Sequence, residues 1–396
     1  MIPCAAMRLA ARVGRIRESA TLRVSRRAAE LRAQGVDVID FGAGEPDFAS
    51  PAAAVEAARQ ALADGFTKYT PNAGIPALRR AVAERYQRDF EAPWTAAQTL
   101  ISVGGKGALF ETALALFEEG TEVVLHTPAW VSFVEQIRFA GAEVVAVATD
   151  GADGFAIRAE PLLAALTPRS RAVLLNSPCN PTGGVMAPAE AEQLVAECAR
   201  RGVLVISDET YERFVYAGTP FSLASLAARY PDTVVLIGSF SKTYAMTGWR
   251  LGYLAGPQPL VDAVACIQGH ATSNPTSFAM VGALAALEQA EPDVRAMIAE
   301  YRIRRDLLVP RLNALPGVRC APPAGAFYAF PDVSGTFGGD LGGSLDFAER
   351  LLEEEAVALV AGEAFGSDRH VRISFACSRQ ALDTGLGRLA RFLARR

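Results

Sequence analysis

The sequence predicts an α/β fold, with a large and mostly parallel sheet between helices and a smaller α+β unit beside it. Three observations point there. Seven short runs rich in Val, Ile or Leu recur along the chain: Thr99–Val103, Glu122–His126, Glu143–Ala148, Ala172–Asn176, Val203–Ser207, Val234–Ser239 and Leu251–Ala255. Each has the length and composition of a strand buried on both faces. Longer helix-like stretches, such as Lys106–Phe117 and Ala187–Arg201, lie between several of them. Strand–helix–strand alternation on this scale builds a parallel sheet covered by helices. Beyond this block the pattern changes. Ala290–Ala314 reads as one long charged helix. Gly317–Cys320, Ala326–Phe330 and Val371–Ser374 read as short strands, and Leu345–Glu355 and Gln380–Ala394 as helices. The expected division is therefore a large domain over 50–288 and a small domain over 289–396, with residues 1–49 joining the small one.

Composition narrows the class. With 396 residues the chain can bury a real core without staples. Hydrophobic residues at 51% against 21% charged exclude global disorder. Lys and Arg number 39 and Asp and Glu 43, a formal net charge of -4. That balance gives no general reason to bind nucleic acid or anionic lipid. The six cysteines are scattered and only three histidines are present, so neither a zinc site nor a disulfide framework is expected. Unpaired thiols suit a reducing compartment and predict the cytoplasm. No apolar stretch is long enough for a transmembrane helix. The first 17 residues are rich in Ala and Arg and lack acids. They read as a basic lead-in more readily than as a transit peptide.

In open parallel sheets, ligands bind beyond the carboxyl ends of strands. Thr99–Val103 is followed by Gly104-Gly105-Lys106-Gly107 and a helix, where backbone can approach an anion and free N–H groups can meet it. Ala172–Asn176 is followed by a turn-rich loop that holds Asn180 between two prolines. Val203–Ser207 leads into Asp208-Glu209-Thr210-Tyr211. Val234–Ser239 leads into Ser241-Lys242-Thr243 and on to Gly248-Trp249-Arg250. Read singly, these are ordinary turns, an N-cap acid and a surface lysine. Together they supply anion donors, an amide, a carboxylate with a tyrosine, and a lysine with an arginine. Pyridoxal phosphate needs that set: a Schiff-base lysine, an acid for its ring nitrogen and donors for its phosphate.

The chain resembles class I aminotransferases of the pyridoxal-phosphate fold-type I superfamily. The motifs are Gly44-Glu45-Pro46-Asp47-Phe48, Lys68-Tyr69-Thr70-Pro71, Asn180-Pro181-Thr182-Gly183, Ser207-Asp208-Glu209-Thr210-Tyr211, Ser239-Phe240-Ser241-Lys242, Gly248-Trp249-Arg250 and His370-Val371-Arg372-Ile373-Ser374. They follow one another from about residue 17 to the C-terminus. The bacterial aspartate aminotransferases, including those acting on prephenate, are the group it most resembles.

The resemblance implies roles. Lys242 carries the Schiff base and, once displaced, moves the substrate's α-proton. Asp208 pairs with the ring nitrogen, and Tyr211 and Asn180 bond the ring's 3′-oxygen. Trp130 stacks on the ring. The N–H groups of Gly105 and Lys106, the Ser239 hydroxyl and Arg250 hold the phosphate. Tyr69 reaches the phosphate of a neighbouring subunit, implying a homodimer with shared sites. Arg372 grips the α-carboxylate, assisted by Gly44 and Asn180. Lys106 binds the distal carboxylate, with Arg17, Ser19 and Thr21 helping from the N-terminal segment.

The expected reaction is exchange of an amino group between L-aspartate and 2-oxoglutarate by a ping-pong mechanism. Arg17 replaces the group's more usual Lys, and a cation there also suits the ring carboxylate of prephenate. Neutral or aromatic amino acids and β-lyase chemistry are the alternatives on the same fold. A non-catalytic regulator is a further one. It fits less well, because the segment ahead of Gly44 is short for a DNA-binding domain and the site motifs are all kept. The motifs offer no account of Cys179, which sits near the expected cofactor.

Overall fold

The structure is a computed structural model that describes residues 9–16, 20–218 and 220–396; the side chains of residues 20–22 and 25 also fall outside the description. The N-terminal part contributes β1 (Ile39–Asp40). Seven strands then form the large sheet: β2 (Thr99–Ser102), β3 (Glu122–Thr127), β4 (Glu143–Ala148), β5 (Ser170–Asn176), β6 (Leu204–Asp208), β7 (Val234–Ser239) and β8 (Gly252–Ala255). Their spatial order is β2-β8-β7-β6-β5-β3-β4, and only β8 runs antiparallel to its neighbours. Each of the seven apolar runs expected to build the large sheet is one of its strands, within a residue or two at its ends.

Period-two packing explains why those runs are apolar throughout. Val123 and Leu125 face one core while Val124 faces the other; Val235 and Ile237 oppose Val234 and Leu236 in the same way. Helices cover both faces of the inner strands. β4, at the edge of the sheet, is expected from its sequence to be buried on both faces but has no fully buried residue, because only β3 flanks it.

The chain ends meet in two small sheets. β1 pairs in parallel with β10 (Val357–Ala358). β12 (Val371–Ser374) lies antiparallel between β9 (Tyr328–Ala329) and β11 (Val360–Ala361). A core of Phe41, Tyr301, Phe327, Phe347, Ile373 and Phe392 joins residues from both ends of the chain. The long helix Glu291–Asn313 runs beside it, as the charged pattern predicts.

Two expected strands shrink. Gly317–Cys320 contributes only a bridge from Arg319 to Asp332, because Pro322 and Pro323 follow and lack the N–H groups to extend a ladder. Ala326–Phe330 narrows to Tyr328–Ala329, since Ala326 takes a left-handed φ of 58° and Pro331 ends the other side.

Among the described residues, no helix is long and apolar enough to cross a membrane. None of their His, Cys, Asp and Glu side chains gather in groups of three or more that could hold a metal ion.

Candidate active site

β2, β7, β6, β5 and β3 run in one direction, so their carboxyl ends open on the same edge of the sheet. The residues that follow them, together with Gly44 and Arg372 from the two ends of the chain, line one cavity of about 460 Å³. Its wall includes Gly105, Lys106, Trp130, Asn180, Asp208, Tyr211, Ser239, Lys242 and Arg250. Four expected residues are not placed there. Arg17 and Ser19 lie outside the described residues, as does the side chain of Thr21. Tyr69 does not line its own chain's cavity and is 89% exposed.

One end of the cavity is shaped for an anion. The helix Gly104–Leu116 begins at the end of β2, and no side chain caps its N-terminus. Its first-turn N–H groups are thus free to meet a ligand. Gly252, the first residue of β8, sits between Ser102 and Ser239. A Cβ there would stand 2.2 Å from the Gly105 nitrogen, so glycine is required for the helix start to come this close. Gly104 has a φ of +74°, and a Cβ on it would meet the Arg250 guanidinium at 2.6 Å. Ser239 Oγ accepts the Ser241 N–H at 3.0 Å, and Arg250 Nη1 donates to the Thr247 carbonyl at 2.7 Å. Helix N–H groups, serine hydroxyls and a guanidinium fit a phosphate.

The centre of the cavity holds the titrating groups. Asp208 is buried at the end of β6, and its Oδ1 accepts the Thr210 N–H at 3.0 Å. Burial raises its pKa to about 6, against the pull of Thr210 and Lys242. A cationic ring nitrogen would relieve that cost. Lys242 follows β7 in the short helix Phe240–Thr243, and its Nζ donates to the Gly44 carbonyl. Burial lowers its pKa to about 8; the Glu45 carboxylate opposes this, while Arg372, Arg250 and Lys106 add to it. Asn176, the last residue of β5, fixes two neighbours. Its Nδ2 donates to the Asp208 carbonyl at 3.0 Å and its Oδ1 accepts the Asn180 N–H at 2.8 Å.

Two further cations line the cavity. Arg372 is buried in β12, donating from Nη1 to Asn180 Oδ1 at 3.0 Å and from Nη2 to the Gly42 carbonyl at 2.7 Å. Its Nε has no hydrogen-bond partner among the described residues. A buried guanidinium with a spare N–H suits a carboxylate. The oxygen of Asn180 is committed to Arg372, which leaves its amide nitrogen to face an acceptor in the cavity. Asp47 accepts from Arg304 Nη1 at 2.7 Å and from the Tyr301 hydroxyl at 3.1 Å, which anchors the turn carrying Gly44. Lys106 Nζ stands 4.8 Å from the centre of the Trp130 ring, and no carboxylate among the described residues pairs with it. Desolvation of its ammonium and the nearby Arg250 push its pKa down.

The sequence reading passed over several residues of this wall. Asn176 is a polar residue closing an apolar run, a signal that was available. Tyr328 lies in an apolar run and looks like core; in the fold its hydroxyl is 2.8 Å from that of Tyr211. Cys179 gains an account. Its Sγ contacts the Pro128 carbonyl at 3.6 Å, and burial pushes the thiol up to about 11, which leaves it a packed, unreactive group.

Comparison with known proteins agrees with this geometry. A family model described as aminotransferase class I and II matches residues 36–389. An aspartate aminotransferase of Geobacillus stearothermophilus is 41% identical over 98% of this chain and 100% of its own length. An aspartate/prephenate aminotransferase of Thermus thermophilus is 42% identical over 98% of this chain and 99% of its own. The solved structure of the Thermus thermophilus aspartate aminotransferase with maleate superposes with a TM-score of 0.92 at 41% identity, covering 97% of this chain and 100% of that one. The protein is a pyridoxal-phosphate-dependent aminotransferase and belongs to the class I and II aminotransferase family.

Proposed function

We propose that the enzyme exchanges the amino group between L-aspartate and 2-oxoglutarate in two half-reactions. The observation that carries this reading is Lys106. Its ammonium faces the cavity that holds Arg372 and lacks a carboxylate partner among the described residues. Two cationic side chains besides Arg250 in one cavity suit a dicarboxylate better than a neutral amino acid.

Pyridoxal phosphate, when bound, supplies the electron sink that makes the substrate's Cα–H acidic. The chain's residues do the rest. The backbone N–H groups of Gly105 and Lys106, the Ser239 hydroxyl and the Arg250 guanidinium would hold the phosphate. Trp130 stacks on the ring. Asp208 holds a proton on the ring nitrogen, and each pKa unit it adds there is worth about 1.4 kcal/mol. Tyr211 and Asn180 donate to the ring oxygen. Lys242 is the covalent anchor; displaced, its Nζ takes up the Cα proton, a task that suits an amine titrating near 8. Arg372 binds the α-carboxylate, beside Gly44. Lys106 takes the distal carboxylate, a task in which the sequence motif gives Arg17, Ser19 and Thr21 a helping role.

The large domain over 50–288 carries the cofactor, and the small domain from 1–49 and 289–396 closes on it, bringing Gly44 and Arg372 to the substrate. Tyr69, too exposed to serve its own site, completes that of a second subunit in a homodimer. The five cysteines described are all free, in keeping with a reducing cytoplasm. Prephenate is a second acceptor in this reading, as the Thermus relative's name suggests.

The experiment is a half-reaction followed by absorbance. L-Aspartate added without a keto acid converts the bound cofactor to its amino form, and 2-oxoglutarate or prephenate returns it. A cofactor band unmoved by aspartate overturns the dicarboxylate reading and turns the search to neutral amino acids and lyase products.

A further inference from the structure

Tyr328 has no role in the reaction set out above, yet it touches two residues that do. It is fully buried in β9. Its hydroxyl lies 2.8 Å from the Tyr211 hydroxyl, and its ring centre is 4.5 Å from the guanidinium carbon of Arg372. The same hydroxyl would stand 3.3 Å from a Cβ on Gly44, so it also closes against the N-terminal segment.

Two hydroxyls carry two protons, and the bond between them uses one. Neither has another hydrogen-bond partner among the described residues. The direction of the bond therefore decides which proton is left for the cavity. A cation over the Tyr328 ring withdraws charge from it and makes that phenol the better donor. The bond then runs from Tyr328 to Tyr211 and leaves Tyr211's proton free. A hydroxyl that accepts one hydrogen bond donates the next more strongly. The charged groups bearing on Tyr211 are Arg372 and Asp208, and on Tyr328, Arg372 alone.

We propose that Tyr328 is a positioning residue: it directs Tyr211's hydroxyl proton to the ring oxygen of the cofactor and makes that donation respond to the occupancy of Arg372. The proposal rests on the roles of Tyr211 and Arg372 given under the proposed function. A carboxylate on Arg372 offsets the guanidinium's charge, weakens the donation from Tyr328 and so weakens that from Tyr211. This path runs beside the direct bond from Arg372 to Asn180. Through either path, substrate binding withdraws stabilisation from the ring oxygen and favours a proton nearby.

The test is a pH titration of the bound cofactor's absorbance in wild type, Tyr211→Phe, Tyr328→Phe and the double variant. Phenylalanine keeps the ring and its packing, and the cofactor band itself reports a folded site. Tyr211→Phe should raise the midpoint by about one unit, the net worth of a hydrogen bond. Tyr328→Phe should raise it less, by about 0.3 unit, and the double variant should go no further than Tyr211→Phe. Maleate, a dicarboxylate with no amino group to transfer, should raise the wild-type midpoint, and raise it less in Tyr328→Phe. An unchanged or lowered midpoint in Tyr328→Phe overturns the proposal, as does a full maleate shift in that variant. If Tyr211→Phe leaves the midpoint unmoved, the role given to Tyr211 has failed and this proposal falls with it, a result distinct from failure at Tyr328 alone.

Discussion

Arg372 and Asn180 lie 192 positions apart and are joined by a hydrogen bond of 3.0 Å from Nη1 to Oδ1. The bond ties the last strand of the chain to the loop after β5. It also settles what Asn180 can offer: with its oxygen taken, its amide N–H groups remain for an acceptor in the cavity. A lysine at 372 keeps the charge but loses the fork that serves Asn180, Gly42 and a carboxylate together. Arg372→Lys should lower kcat/KM for aspartate about thirtyfold, the low end for disrupting a buried charge contact. Steady-state kinetics check this, and Asn180→Ala should cost less in the arginine-deficient background than in wild type.

Lys106 tests the substrate side chain. Because the residue is partly open to solvent, its contact with a distal carboxylate sits near the lower bound for a charged hydrogen bond. Lys106→Ala should reduce kcat/KM for aspartate about tenfold and leave that for alanine nearly unchanged. Equal losses on both amino acids would assign Lys106 to the phosphate alone.

Gly252 tests the phosphate cradle without touching a polar group. Its Cβ would stand 2.2 Å from the Gly105 nitrogen, a backbone atom that cannot step aside. Gly252→Ala should push the helix start away from β8, weaken pyridoxal phosphate binding at least tenfold, by about 1.4 kcal/mol or more, and lower the Tm of the apoprotein. Fluorescence titration of the apoprotein with the cofactor measures the first effect.

Much of this was legible in the sequence, and the misses have physical causes. Val234–Ser239 is a strand with the expected bounds, because a run buried on both faces leaves an unbroken apolar signature. Glu143–Ala148 also keeps its expected bounds, although it lies at the sheet edge and none of its residues is buried. β1, β10 and β11 are two residues long, too short for any period to show. That Gly105, Asn180, Asp208 and Lys242 line one cavity was readable because each lies at or within four residues of a strand end. Tyr328 was not: its apolar neighbours match a core strand, and it meets Tyr211 across 117 positions only in the fold. Tyr69 reads as a site residue through its motif, yet it stands outside its own chain's cavity; in the proposed homodimer it would serve the second subunit. On that proposal Tyr69→Phe should weaken cofactor binding about tenfold and leave the sedimentation coefficient of the protein unchanged.

The lysine itself predicts how stability depends on pH. Lys242 titrates near 8 in the folded chain rather than at its ordinary 10.5, because burial disfavours the ammonium. Between those values the unfolded chain binds more protons than the folded one, so this residue makes stability rise with pH across that window. Below about 8 both states are protonated and the folded apoprotein bears the full cost of a buried charge. Lys242→Met keeps the length of the side chain and removes the charge. The Tm of the Met apoprotein should exceed that of wild type most at pH 7 and below, and the gap should close as the pH rises toward 10.5. Calorimetry of both apoproteins over this range checks the sign. A gap that widens with pH would mean that the Gly44 carbonyl and the Glu45 carboxylate outweigh burial and hold the ammonium as the preferred form.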